Sequence, residues 1–339
     1  MAPSKNILLF IADDLGREQI GCYGCKALQT PQLDKLAASG SRFDLAFAST
    51  ASCSGSRTTI CTGLHMHEAG SYGLVGGHNG FQTFEDIETT PEVFNKFLQD
   101  LPEVRQELAE YYRSINGLDQ RIGLVLEALK RTGLADDTLV LFLSDNGPPF
   151  VNSKTTLYDA GVRLPFLLRV PGHASGIANT NMVSYIDVLP TFPDWAGHAD
   201  LQPPDKRMGP CLRIAHFHEV TNFWPTRYMR TREYKYHRNV CWKLDFPFAM
   251  DLYASLSFEG MRNSGTETTP AMIGKRALKS YICRPPEELY DIDQDPDEIN
   301  NLAGKPEHQE RLLGMRAALG TWQTETETET ETETEDLWL

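Results

Sequence analysis

No apolar run among the 339 residues is long enough to cross a membrane, since a spanning helix needs about 20 such residues. The run nearest the start, Ile7 to Ala12, is too short for a leader core and stops at Asp13-Asp14. As written, the chain is therefore expected in the cytoplasm, without a membrane partner. Blocks of Lys and Arg are also missing, and the net charge is −14. That balance excludes nucleic acid, whose binding rests on neutralising phosphates. Half of the excess charge sits in six Thr-Glu repeats, Thr324 to Glu335, with Asp336. Such a repeat cannot bury a face and is expected to be disordered. There is no N-x-[ST] acceptor for glycans. The seven cysteines (22, 25, 53, 61, 211, 241, 283) form no regular disulfide framework. Cys22-x-x-Cys25 has no second pair to close a zinc shell, so both are expected to be incidental thiols in a loop.

What is present is a globular chain, 41% hydrophobic, with strands and helices alternating along its first two-thirds. Ile7 to Ala12 and Thr138 to Leu143 read as strands buried on both faces, and Leu164 to Leu168 as a third. Thr30 to Gly40 reads as a helix capped by Thr30, with Pro31 in its first turn and Gly40 stopping it. Further helices are expected from Ser56 to Leu64 and Leu118 to Lys130. This alternation argues for an α/β fold with a mostly parallel central sheet flanked by helices. From Arg207 onward, aromatics and charges mix. Tyr228 to His237 suggests antiparallel strands, and Pro306 to Trp322 a terminal helix. The expected organisation is a catalytic domain over 1–206, a small antiparallel C-terminal subdomain over 207–322, and a tail over 323–339.

Two of the buried strands end in hard oxygen donors, Asp13-Asp14 and Asp145-Asn146. The carboxyl edge of a parallel sheet is where sites are built, and four such side chains there suit Ca²⁺ or Mg²⁺. Both pairs are also ordinary turn residues.

The stretch Thr50-Ala-Ser-Cys53-Ser-Gly-Ser-Arg57, followed by Thr62-Gly63, puts a cysteine just before a helix with an arginine four residues on. Helix starts and arginine favour anions, and a thiol there is expected to have a depressed pKa. This stretch resembles the sulfatase signature C-x-P-S-R-x-x-x-x-T-G. The resemblance extends to Asp13-Asp14, Thr30-Pro-Gln-Leu-Asp34, Ser144-Asp-Asn-Gly147, Lys154-Thr-Thr-Leu-Tyr158, Asp159 to Arg163, Glu288-Leu-Tyr-Asp291, Asp295-Pro and Asn301-Leu302. His218-Glu-Val-Thr221, the His65-Met-His67 region and Tyr290 look closest to the heparan N-sulfatase (sulfamidase) branch.

The resemblance implies an alkaline-phosphatase-like sandwich and a metal-dependent hydrolase of sulfate esters or sulfamates, acting on N-sulfated glucosamine or other sulfated sugars. It implies that Asp13, Asp14, Asp145 and Asn146 hold a calcium-like ion with formylglycine derived from Cys53. Arg57 would orient that nucleophile, Lys154 would contact the sulfate, and His218 and Glu219 would bind substrate. It also implies a formylglycine-generating enzyme as a partner. On residues alone, Arg57 also fits a surface helix, Lys154 a loop, and His218-Glu219 an ordinary strand.

Two departures stand out. Gly55 replaces the signature proline. Phe97-Leu-Gln-Asp-Leu-Pro102 also passes straight into Val104 to Tyr112, skipping the family's G-K-x-H segment, and no G-K-x-H occurs in the chain. The missing lysine and histidines are the family's leaving-group acid and sulfate contacts, so impaired activity is expected. Two rival expectations are a phosphate or phosphonate monoester hydrolase of the same superfamily, and an inactive truncated homologue.

Overall fold

The computed structural model describes residues 5–65, 98–198 and 224–326, with side chains described to residue 324. Strand β1 (Asn6–Ala12) leads to helix α1 (Pro31–Ala38), β2 (Ser41–Phe47) and α2 (Cys53–Thr62). The long helix α3 (Pro102–Arg131) precedes β3 (Thr138–Ser144). A one-turn helix α4 (Asp159–Val162), β4 (Phe166–Arg169), β5 (Ile177–Ser184) and α5 (Val188–Ala196) follow. These strands form one sheet in the order β1-β3-β4-β2-β5.

The sheet is mixed rather than mostly parallel. β1 with β3 and β2 with β5 are parallel, whereas β4 runs antiparallel to both neighbours. β3 is the apolar spine, buried at every position. Val140 and Phe142 pack with Leu33, Val104, Leu108 and Tyr112 on one face. Leu139, Leu141 and Leu143 pack with Ile60, Tyr185 and Val188 on the other. This is the period-2 alternation of a strand sealed between helix layers. The equal burial expected of β1 is not found: it pairs only with β3 among the described residues, and Ile7 stays 39% exposed. An edge strand has one neighbour to shield it, so an apolar run there is only partly covered.

Several helices differ in extent from the sequence expectation. α2 begins at Cys53, and α3 reaches back to Pro102. The Thr30 hydroxyl does not cap α1; it accepts from the Gly21 N–H at 2.9 Å. The cap comes instead from Asp119 of α3, whose carboxylate accepts from the Gln32 and Leu33 N–H groups at 3.1 and 2.8 Å. A carboxylate at that end also meets the positive end of the helix dipole.

In the C-terminal part, β6 (Thr226–Arg230) and β7 (Tyr234–Asn239) form the expected antiparallel hairpin. Helices α6 (Met250–Tyr253) and α7 (Leu256–Asn263), the short pair β8 (Met272–Ile273) and β9 (Arg276–Ala277), and α8 (Leu278–Ile282) follow. β10 (Glu287–Asp291) adds to β7, and α9 (Gln309–Thr326) runs into the start of the Thr-Glu repeat. The C-terminal part is tied to the first sheet through buried charge. The Asp159 carboxylate receives Arg230 at 3.2 Å and Lys235 at 2.8 Å, and Tyr158 donates to Glu288 at 2.9 Å. Among the described residues no helix is long and apolar enough to cross a membrane.

Candidate active site

Parallel pairing of β1 with β3 sets Ala12 opposite Ser144, so the next residues on each strand, Asp13-Asp14 and Asp145-Asn146, leave the sheet side by side. The turn after β1 is strained: Asp14 sits at φ 56°, a region a non-glycine residue occupies only when its surroundings hold it there. Three contacts hold it. The Asp14 N–H donates to Asp145 Oδ1 at 3.2 Å, the Leu15 N–H to Ser144 Oγ at 2.9 Å, and the Tyr111 hydroxyl donates to the Asp14 carbonyl at 2.9 Å. Beyond β3 the backbone passes close to α4. A Cβ on Gly147 would lie 2.0 Å from the Ala160 carbonyl oxygen, so only glycine fits there.

Cys53 opens α2, with Ser52 as its N-cap residue. Its sulfur lies with carboxylate oxygens of Asp13 and Asp145 such that all three atoms are within 4.8 Å of one another. One helical turn on, Arg57 bridges the two acids: Nε meets Asp145 Oδ2 at 2.7 Å and Nη2 meets Asp13 Oδ1 at 3.1 Å. Lys154 comes from the loop before α4 and is nearly buried, with Nζ 2.8 Å from Asp14 Oδ2 and 3.0 Å from Asp251 Oδ2. Seven of the residues marked in the sequence are thus brought together: Asp13, Asp14, Cys53, Arg57, Asp145, Asn146 and Lys154. The two assigned to substrate, His218 and Glu219, lie outside the described residues. His65 is buried against Trp322, ring centroids 5.4 Å apart. Two contributors carry no sequence signal. Tyr111 is an unremarkable position on a long amphipathic helix, and Asp251 becomes visible only through its contact with Lys154.

The electrostatics of the cluster run against the bare expectation for Cys53. Burial pushes its thiol pKa up, and the Asp14 and Asp145 carboxylates push it further, overriding the Lys154 charge. The helix start and Arg57 suggested a depressed value, but neighbouring carboxylates disfavour a thiolate more than one bridged arginine favours it. The acids are also strained electrostatically. Burial raises the Asp14 carboxyl despite Lys154, and burial with the Asp13 charge pushes Asp145 up to about 7 despite Arg57. Lys154 is held in its charged form: burial would lower its pKa, but the Asp14 and Asp251 charges outweigh that and raise it. The Cys22 thiol is likewise pushed up, to about 12, by burial and by Asp34.

A divalent cation fits this arrangement. Asn146 donates through Nδ2 to Asp14 and to the Gly147 carbonyl, leaving its buried Oδ1 without a hydrogen-bond partner. A buried acceptor without a donor costs on the order of 1–3 kcal/mol, and clustered carboxylates with raised pKa values call for positive charge. The donors are hard oxygens, as Ca²⁺ and Mg²⁺ prefer.

The sulfatase family model matches residues 5–87 and 71–198. Human N-sulphoglucosamine sulphohydrolase is 27% identical, the match covering 96% of this chain and 91% of that protein. That alignment runs over 457 positions, more than this chain possesses, so part of the human protein faces gaps here. Human arylsulfatase A is 24% identical over 90% of this chain and 84% of its own length. Among solved structures, a 2-O GAG sulfatase superposes with a TM-score of 0.69 at 15% identity, covering 97% of this chain and 94% of that one.

Proposed function

Because this chain belongs to the sulfatase family of sulfuric ester and sulfamate hydrolases, we propose that it cleaves S–O or S–N bonds of a sulfated sugar at the Cys53 cluster, with N-sulfated glucosamine the favoured substrate. The observation that carries this reading is the meeting of the Asp13-Asp14 and Asp145-Asn146 strand ends beside Cys53 and Arg57. Human N-sulphoglucosamine sulphohydrolase, matched along nearly the whole chain, supports the sugar.

Asp13, Asp14, Asp145 and Asn146 are the residues that would hold a Ca²⁺ or Mg²⁺ ion. Such an ion supplies positive charge that eases ionisation of a nucleophile and neutralises sulfate oxygens. Formylglycine made from Cys53 by a formylglycine-generating enzyme would supply the nucleophilic hydroxyl. The raised thiol pKa supports that role for a modified side chain, because an unmodified thiol here remains protonated at neutral pH. Arg57 fixes the Asp13–Asp145 pair and orients whatever stands at position 53. Lys154 has a third N–H beyond its two carboxylate partners, which donates to a sulfate oxygen and stabilises charge in the transition state.

The family's G-K-x-H segment, which the resemblance gives as the source of the leaving-group acid, does not occur in the chain, so turnover is proposed to be impaired. Loss of one such group typically lowers rate on the order of 100-fold or more. The test is tryptic mass spectrometry of the Cys53 peptide after co-expression with a formylglycine-generating enzyme, followed by assay on N-sulfoglucosamine. Formylglycine with slow, cation-dependent turnover supports the reading. An intact thiol without turnover overturns it and favours an inactive homologue.

A further inference from the structure

Two arginines share one backbone acceptor and have no carboxylate of their own. Arg17 lies in the turn after β1, and Arg163 follows α4, where its backbone bridges to Phe47 at the end of β2. Arg17 Nη1 donates to the Asp44 carbonyl at 3.2 Å, and Arg163 Nε donates to the same oxygen at 3.0 Å. That oxygen sets the two guanidinium groups side by side. Asp44 pairs its carboxylate with Arg42 at 2.9 Å, so it offers the two arginines only its carbonyl. Each guanidinium has five N–H donors, and neither forms an ion pair with a carboxylate among the described residues. Both side chains are only partly covered, so a ligand can reach the remaining donors.

The donors are also oriented in advance. Arg17 lies over the Tyr23 ring, 4.8 Å from its centroid. The Tyr23 hydroxyl is itself fixed, donating to the Phe43 carbonyl at 3.0 Å and accepting from the Phe166 N–H at 2.9 Å. A planar guanidinium held by stacking and a hydrogen bond loses little freedom when it takes up an anion.

The surrounding charges favour such a ligand. Asp159 is engaged by Arg230 and Lys235. Glu18 acts electrostatically on both arginines yet forms an ion pair with neither. Burial and the Arg17 charge lower the Arg163 pKa in spite of Asp159 and Glu18. Fastening the turn after β1 onto β2 needs only one such bond, whereas two like charges on one oxygen repel. An oxyanion between them turns that repulsion into charge-assisted hydrogen bonding.

We propose that Arg17 and Arg163 form a second oxyanion site, built from residues outside the Cys53 cluster, that takes a sulfate group either free or carried on a sugar. It stands on the two arginines alone and needs no turnover at Cys53.

Sulfate titration of the full chain tests it. The protein is chelated, so that no cation supports sulfate at the Cys53 cluster, and sodium sulfate binding is followed calorimetrically at constant ionic strength. One sulfate per chain is expected. Arg17→Gln and Arg163→Gln should each weaken it about tenfold, whereas Lys154→Met should leave it unchanged. Arg17→Lys keeps the charge but loses the fork, so its affinity should fall between wild type and Arg17→Gln. Glu18→Gln removes the nearby carboxylate and should tighten binding. No binding by the wild type, or binding that Lys154→Met abolishes and the arginine variants keep, would overturn the assignment. Should Arg163→Gln unfold, Arg17→Gln decides, and unchanged sulfate affinity there sinks the idea. D-Glucosamine 6-sulfate, titrated in parallel, separates the two sources. Tighter binding than inorganic sulfate, still dependent on Arg17, marks a sugar-borne group, and weaker binding marks the free anion.

Discussion

Two groups of buried acids in this molecule have opposite electrostatic fates. At the strand ends, Asp14 and Asp145 have carboxyl pKa values raised by burial, and Asn146 keeps an unpartnered Oδ1. At the junction with the C-terminal part, burial acts on Asp159 and Glu288 as well. There Lys235 and Arg230 hold the Asp159 carboxyl well below its usual range. Around Glu288, His237 and the guanidinium groups of Arg284 and Arg276 hold its pKa down at about 2. Burial alone therefore does not mark a site. The junction is an ion layer that joins elements, whereas the strand ends gather acids that only Arg57 and Lys154 meet as ion pairs among the described residues, the arrangement that the proposed cation would complete.

That contrast can be broken most forcefully at the junction. Asp159→Ala removes the carboxylate that Arg230 and Lys235 share, leaving Lys235 with Glu298 at 3.3 Å and Arg230 with backbone carbonyls, and chemical denaturation should show a loss of about 3–5 kcal/mol. A loss under 1 kcal/mol would mean the layer is not a unit.

Acid should act on the same layer. The folded pKa of Glu288 lies below its ordinary 4.5, so its stabilisation is complete above that value and is lost as pH falls toward about 2. The linkage amounts to about 3 kcal/mol, and Asp159 shifts in the same direction. Asp145 has the opposite sign: in chelated protein it costs stability as pH rises from 3.8 to about 7. Denaturation midpoints measured from pH 5 down to pH 2 should fall, and a flat profile would remove the distinction between the two clusters.

Asp13→Ala should lower kcat/KM about 100-fold, equivalent to about 2.7 kcal/mol, while leaving the melting temperature within a few degrees of wild type because it relieves charge at Asp145. A variant that merely unfolds would place Asp13 among the structural acids.

The smallest effect is expected at Tyr111→Phe. It deletes the hydroxyl that donates to the Asp14 carbonyl and accepts from the Gly16 N–H at 3.2 Å. A cost of about 1–2 kcal/mol is expected, with a parallel weakening of cation affinity as the strained Asp14 turn loosens. Unchanged affinity would show that Ser144 and Asp145 hold the turn unaided.

Much of this site was legible in the sequence because β1 and β3 are apolar runs that stop at hard donors, and the signature around Cys53 is local. The sheet was less so. β2 contains Arg42 and Asp44, and β5 reads Ile-Ala-Asn-Thr-Asn-Met-Val-Ser, so neither shows a clean apolar pattern. β4 gives no local sign that it runs antiparallel. Direction depends on which neighbours it joins, and that is a tertiary fact. The thiol was misjudged because the helix start and Arg57 are local signals, whereas the burial that acts most strongly on Cys53 is another tertiary fact. Asp251 lies 97 residues from Lys154, and no spacing rule reaches that far.

The central claim is that the strand ends form one cation site beside Cys53. Calorimetric titration of the chelated full chain with Ca²⁺ tests it most directly. One ion should bind per chain, and binding should be lost in Asp145→Asn yet retained in Asp159→Asn. No binding by the wild type, or binding that survives Asp145→Asn, would contradict the account.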